Sequence, residues 1–266
     1  FLAELCDEPA ALAEKAAQLI AWWRSAGHVV VYTGAGVSTA AGLPDYRGPS
    51  GVWTRKLRGE AAAESDLDAA AVAATPTRAH EVVARLHAAG RVAFVATTNV
   101  DDLHARAGLP REALSELHGN MFVEECQDCR RQYHRDEPVR TATRLREHAT
   151  GRLCEACGAP LRDTIVNFGN TAEEVPSMEA EHDRTWVQCL KADLVVVLGS
   201  SLSVPTACDL PEECLPPRFD KPDGGRLVIV NRQRTPKDSS ASLCIHAACD
   251  HVLGLVEQAL LGGSNE

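Results

Sequence analysis

Four short runs of apolar, mostly β-branched residues constrain this chain more than anything else in it. One is "VVVYT" from Val29; the others are the cores of "RVAFVATTNVDD", "ADLVVVLGSSL" and "RLVIVNRQRT". Uniform rather than alternating hydrophobicity marks strands covered on both faces, as in a parallel sheet flanked by helices. Helical spacing lies between the runs. After Pro9 come Leu12, Ala16, Leu19 and Trp23 with Gly27 as the stop; later come Ala79, Val82, Val83 and Leu86 with Gly90 as the stop. Thr75 and Pro76 are the expected N-cap and first residue of that second helix. The chain therefore reads as α/β, a Rossmann-like doubly wound parallel sheet.

Each run also ends abruptly in small or polar residues: Gly34-Ala35-Gly36, Thr97-Thr98-Asn99, Gly199-Ser200-Ser201 and Asn231-Arg232. In an open α/β sheet, ligands bind outside the carboxyl ends of the strands, so four such endings describe one crevice. The first ending carries the strongest expectation. Glycines directly after a strand let backbone N–H groups approach a ligand closely, and phosphate is the usual one.

A second constraint comes from Cys126, Cys129, Cys154 and Cys157, two C-x2-C pairs separated by 24 residues. Two such knuckles can set four thiolates tetrahedrally around zinc and leave no position open for chemistry. A redox or disulfide role is the alternative. Residues 120–165 are expected to form this zinc-binding module, inserted in a nucleotide-binding domain made of 1–119 and 166–266. "EPVRTATRLREH" could fill part of the spacer with a short helix. The module balances eight arginines against eight acidic residues. Arg130, Arg131, Arg135, Arg140, Arg144 and Arg146 read as a solvated face, with a nucleic-acid or nucleosome contact as the less supported reading.

With 266 residues and 45 % hydrophobic content, the chain can bury one sizeable core or two modest ones. Its formal net charge of −10 weighs against sequence-independent nucleic-acid binding and suits a cationic partner such as a lysine-rich peptide. No apolar stretch is long enough to span a bilayer, and no signal-peptide pattern opens the chain, so no membrane partner is expected. Cys6, Cys189, Cys208, Cys214, Cys244 and Cys249 follow no pattern and read as small core residues in a reducing, intracellular compartment. The alanine-rich 61–76 stretch reads as a helix or cover, part of a helical layer over about 54–80.

Taken together, "GAGVSTAAGLPDYRGPSGVW", "TTNVDDLH", "ELHGN", the paired C-x2-C, "VNFGN", "GSSLSV" and "IVNRQRTPKD" stand in the order and spacing of the sirtuins. These are NAD-dependent protein lysine deacylases. The resemblance covers nearly the whole chain and is greatest to class IV, which shares the short "RGPSGVW" after the glycine loop.

That resemblance implies roles residue by residue. Gly34, Ala35, Gly36 and Ser38 would take the NAD pyrophosphate. Asp45, Tyr46 and Arg47 would cover the nicotinamide ribose, with Trp53 closing over it, and Thr98 occupies a further ribose position. Asn99 and Asp101 would hold the carboxamide. Gly199, Ser200 and Ser201 would meet phosphate and ribose; Asn231, Arg232 and the backbone at Cys249 would bound the adenosine half. Val166, Asn167, Phe168 and Gly169 would pair with an acylated lysine peptide, with a histone as the candidate protein. His118 would act as base, a task suited to an imidazole that is mostly neutral at cellular pH. The resemblance also implies a nuclear location.

Three positions depart from the family. Thr98 stands where glutamine is usual, which would hold the nicotinamide ribose less well. Asp102 replaces a glycine, bringing a side chain and a negative charge to a backbone position where glycine is better served. Asn170 replaces an acidic residue, which bears on peptide preference. The expected function is NAD-dependent deacylation that releases nicotinamide and O-acyl-ADP-ribose. The alternatives are mono-ADP-ribosyl transfer, or a non-catalytic NAD or ADP-ribose sensor.

Overall fold

The structure, a computed structural model, describes residues 3–48, 51–60, 64–139, 147–167, 169–171, 173–217 and 221–262, the side chains at 53 and 64–67 excepted. Its helices are α1 (Pro9–Ser25), α2 (Val52–Leu57), α3 (Glu64–Ala73), α4 (Arg78–Ala88), α5 (Leu103–Arg106), α6 (Ser177–Lys191) and α7 (Cys249–Leu261). Its strands are β1 (Val29–Thr33), β2 (Phe94–Thr97), β3 (Leu114–Glu116), β4 (Val123–Cys126), β5 (Gln132–His134), β6 (Ala149–Leu153), β7 (Pro160–Asp163), β8 (Leu194–Leu198), β9 (Arg226–Val230) and β10 (Leu243–Ile245).

Six strands form a parallel sheet in the order β10-β9-β8-β1-β2-β3. From β1 the chain winds to one edge through β2 and β3, then returns to build β8, β9 and β10 on the other side. β1 and β8 thus flank the switch point, where a doubly wound sheet opens a crevice. Every residue of β1 and of β8 is buried, as continuous apolar runs predict. Side chains alternate between two core layers. Val29, Val31 and Val196 pack with Leu19, Trp23, Val82, Leu86 and Val252 of α1, α4 and α7. Val30, Tyr32, Val195 and Val197 pack on the other face with Cys189, Leu210 and Cys214.

Pro9 opens α1, and Trp23 near its end donates its indole N–H to the Arg91 carbonyl over 2.8 Å. The second helix begins later than its sequence suggests. Its N-cap is Thr77, not Thr75, and Arg78, not Pro76, is its first residue. The reason is a reciprocal box: the Thr77 side chain takes the His80 amide, and the His80 ring takes the Thr77 amide. Gly90, at φ 68°, follows the end of this helix, as expected of a C-terminal stop. The alanine-rich stretch does form a helix, α3.

The four patterned cysteines flank a second, antiparallel sheet in the order β5-β4-β7-β6, Cys126 ending β4 and the other three lying between its strands. Glu124 in β4 is fully buried there and is held by Arg135, at 3.1 Å, and by Arg152. Arg130 pairs with Glu125 at 3.1 Å. Two of the clustered arginines therefore serve this sheet; Arg140, Arg144 and Arg146, and most of the spacer expected to hold a short helix, lie outside the described residues. Of the unpatterned cysteines, Cys189, Cys214 and Cys249 are buried and Cys208 and Cys244 partly so. Cys6 is the exception. It is exposed on the segment that leads into α1, so it is not a core residue. Among the described residues no helix is long and apolar enough to cross a membrane.

Candidate functional site

At the switch point the ends of β1 and β8 almost touch. Gly34 donates its amide to the Leu198 carbonyl at 3.0 Å, and Gly36 donates to Gly199 at 2.8 Å. A Cβ on Gly34 would lie 2.7 Å from the Ser200 Cα, and one on Gly36 would lie 2.7 Å from the Gly199 Cα. The glycine loop is thus demanded by strand packing as well as by any ligand. A cavity of about 690 Å³ opens beside it, reaching Gly36, Asp45, Gly199, Asn231, Arg232 and Cys249. Glu4, Arg55 and Gln233 also line it, and sequence reasoning named none of them. Glu4 pairs with Arg232 at 2.6 Å.

Below the loop lies a buried polar cluster. Ser38 donates its hydroxyl to Asp101 Oδ2 over 2.6 Å and accepts from the Asn99 amide group over 3.1 Å. Asn99 also donates to the Gly34 carbonyl at 3.2 Å, which ties the end of β2 to the end of β1. Asp101 Oδ1 takes the Leu103 amide at the start of α5. His80, fully buried, points Nε2 at the Ser38 hydroxyl from 3.5 Å. Burial holds its basicity below the usual histidine range, against the pull of Asp101. His80 escaped sequence reasoning; its signal was the Thr77-x-x-His80 spacing.

His118 follows β3 by two residues. Its Nδ1–H donates to the Thr98 carbonyl over 3.1 Å, which fixes the neutral tautomer with Nε2 as the proton acceptor. Burial lowers its pKa from the ordinary value; the Thr98 bond opposes that shift and the Arg47 charge adds to it. Arg47 also donates to the Ser201 hydroxyl, at 3.3 Å, so one guanidinium relates the histidine to the end of β8. Burial raises the Asp45 carboxyl, with the Gly48 amide opposing and Glu4 adding. Tyr46 is exposed. Ser200 Oγ takes the Leu202 amide at 3.3 Å. The Thr98 hydroxyl turns back onto the Thr33 carbonyl at 3.3 Å.

Ala35 opens a short 3-10 turn after Gly34. Val166 donates its amide to the His118 carbonyl at 2.9 Å, so the segment after β7 runs beside the histidine. The Asn167 amide goes to the Asn170 side chain, and Asn170 in turn donates to Glu174. Gly169 is exposed at φ 84°. Phe168 and the side chain of Trp53 lie outside the described residues. Asp102 does adopt the left-handed conformation, φ 65°, but its carboxylate, 2 % exposed, is spent on Asn120 and His134.

The Sγ atoms of Cys126, Cys129, Cys154 and Cys157 all lie within 4.8 Å of one another, with 3.4 Å from Cys126 to Cys157 and 3.5 Å from Cys129 to Cys154. A tetrahedral zinc thiolate site needs about 3.8 Å between sulfurs, so the four residues fit a closed structural zinc.

A model of the Sir2 family matches residues 60–206. The mouse NAD-dependent protein deacetylase sirtuin-7 is 44 % identical over 97 % of this chain and 62 % of its own length. The Drosophila NAD-dependent protein deacetylase Sirt6 is 36 % identical over 95 % of this chain and 77 % of its own. The chain thus spans only about three-fifths of the sirtuin-7 proteins it matches. Among solved structures, a Sir2 protein bound to acetylated peptide superposes with a TM-score of 0.66 at 28 % identity, covering 92 % of this chain and 98 % of that one. A Sir2 complex with a p53 peptide and NAD+ gives 0.65 at 28 %, covering 91 % and 96 %.

Proposed function

The chain belongs to the Sir2 family, and from that membership we propose that it is an NAD-dependent protein lysine deacylase, consuming one water and giving nicotinamide, a deacylated lysine side chain and O-acyl-ADP-ribose. The observation that carries this reading is the His118 tautomer. Its Nδ1–H is committed to Thr98, so Nε2 is the atom left to accept a proton, and burial keeps it neutral. A module that only binds a dinucleotide has no use for such a base.

Bound NAD supplies an anomeric carbon made electrophilic by its cationic leaving group. The Gly34–Gly36 loop, Ala35 included, would receive the pyrophosphate with Ser38, and Gly199, Ser200 and Ser201 would meet phosphate and ribose from the β8 side. Asn231, Arg232 and Cys249, which line the far part of the cavity, would bound the adenosine. Asn99 and Asp101 would fix the carboxamide end; Asp45, Tyr46, Arg47, Trp53 and Thr98 would enclose the nicotinamide ribose. Peptide would lie along 166–169, a mode in which main-chain bonds supply affinity with little sequence demand. The acyl oxygen would displace nicotinamide at the anomeric carbon, His118 Nε2 would take the proton of a ribose hydroxyl so that its oxygen attacks the acyl carbon, and one water would complete release of the lysine amine as the acyl group passes to the ribose. Zn2+ on the four cysteines would brace the crevice without joining the reaction. These roles divide the chain into the expected 120–165 module and a nucleotide-binding remainder. The net charge of −10 favours a lysine-rich, histone-like substrate, and a nuclear, reducing setting is what the class IV resemblance implies.

Product mass spectrometry tests the proposal, using NAD with acetyl-lysine and myristoyl-lysine peptides. Loss of either acyl group, matched by O-acyl-ADP-ribose and cut at least about a hundredfold in His118→Tyr, is the expected result. Peptide or protein carrying ADP-ribose instead would replace deacylation by transfer. NAD binding without turnover would leave a sensor.

A further inference from the structure

Three alternate residues of one short segment hold the loop that carries His118. The Thr98 carbonyl takes the His118 ring N–H at 3.1 Å, the Val100 carbonyl takes the Met121 amide at 2.9 Å, and Asp102 Oδ1 takes the Asn120 side-chain amide at 2.7 Å. At positions 98 and 100 the contact is made by a backbone carbonyl, which any residue there would supply. The third needs a side chain at a left-handed position, where glycine is the easy residue.

Asp102 is also the N-cap of α5, yet its side chain makes no capping bond; Asp101 Oδ1 takes the Leu103 amide instead. Both carboxylate oxygens of Asp102 are thereby released for distant partners. Oδ2 accepts from His134 Nε2 over 2.8 Å, and His134 sits in β5 of the cysteine-bearing sheet with its ring stacked on Phe122 at 6.3 Å. Asn120 reaches the other way as well, to Glu116 Oε1 at 2.6 Å, so the two ends of the 116–120 turn are bonded to each other. The Gly119 amide closes that turn onto the Glu116 carbonyl at 2.9 Å.

We propose that Asp102 is a positioning residue: its buried carboxylate clasps the His118 loop through Asn120 and docks the cysteine-bearing sheet on it through His134. A carboxylate that is 2 % exposed is costly unless its lone pairs are filled, and here both donors come from elements that must be held in place. The residue that departs from the family's glycine is therefore an added strut of the site. This rests on the reading of His118 as base for its catalytic consequence, but not for the clasp itself.

The test compares Asp102→Gly with Asp102→Asn in the full chain. Glycine relaxes the left-handed backbone and removes both bonds. Asparagine tolerates that conformation, still accepts from Asn120, and can donate to the other tautomer of His134. Two readouts are taken: kcat and KM for NAD in the deacylase assay, and amide hydrogen exchange across 114–122. In Asp102→Gly, kcat should fall about tenfold or more with KM for NAD within about twofold, and exchange at Gly119 and Met121 should rise about tenfold; Asp102→Asn should restore both. Unchanged kcat in the glycine variant of an active enzyme overturns the positioning role. If the native chain shows no deacylase turnover, the functional reading alone fails. Faster exchange, restored by asparagine, would then still support the clasp, and unchanged exchange would overturn it.

Discussion

His118 and Thr98 are joined by a 3.1 Å hydrogen bond in which the imidazole Nδ1–H donates to a backbone carbonyl, 20 residues upstream. A main-chain partner cannot titrate, so the tautomer holds over the whole working pH range. Burial lowers the pKa of this histidine, and Arg47 lowers it further. A base must be neutral to accept a proton, so activity should persist below pH 6.5 and be lost only as pH falls through the depressed value. The kcat/KM profile checks this, and Arg47→Gln should move the acid limb upward. A limb at or above the ordinary histidine value would contradict it.

Glu116 gives a prediction about stability. Burial pushes its carboxyl up to about 7 from an ordinary 4.5, against the pull of Arg111 and Asn120. The folded chain therefore keeps a proton that the unfolded chain has released between those values. Stability from this group is present below pH 4.5 and lost as pH rises through about 7. The side chain is 11 % exposed, so the loss should reach at most about 3 kcal/mol. Urea unfolding of Glu116→Gln should lack this decline; an equal decline in both proteins would refute the assignment.

Gly119 and Gly90 share a left-handed backbone but not their surroundings. A Cβ on Gly119 would lie 1.8 Å from the Thr164 carbonyl oxygen, whereas one on Gly90 would meet nothing within 4 Å. Gly90→Ala should cost about 1 kcal/mol from backbone strain alone. Gly119→Ala should cost well over about 3 kcal/mol, or abolish folding of the region, because backbone must move. Thermal melting of the two variants makes the comparison, and similar losses would contradict the close packing of the His118 loop on the 164–166 segment.

The cysteine cluster predicts one bound zinc per chain. Metal analysis should find it, and Cys129→Ser should reduce it severalfold. Chelation should speed hydrogen exchange in β4 to β7 while sparing β1 and β8, since the small sheet depends on metal and the large one on its buried core. Exchange unchanged by chelation would mean that the sheet stands without the ion.

The four interior strands and the crevice at their ends were legible because burial on both faces writes an unbroken apolar run. The edge strands β3 and β10 were not: "LSE" and "LCI" are three residues long, too short for any period to show. The start of α4 was misplaced because Thr75-Pro76 resembles a cap, while the reciprocal bonds that decide the matter run between Thr77 and His80. Within the site, the resemblance put Ser38 at the pyrophosphate and Asn99 and Asp101 at the carboxamide; that the three are bonded to one another was not legible. Arg55 reaches the cavity, and Asp102 reaches His134 across 32 residues, through contacts that no local pattern encodes.

If His118 acts after nicotinamide has left, isotope exchange separates the two events. Native protein and His118→Ala are each given NAD, an acylated lysine peptide and labelled free nicotinamide, and both labelled NAD and O-acyl-ADP-ribose are measured. His118→Ala should still exchange label into NAD while O-acyl-ADP-ribose formation falls by about a hundredfold or more. Undiminished O-acyl-ADP-ribose in His118→Ala, or no exchange and no product from the native chain, would contradict it.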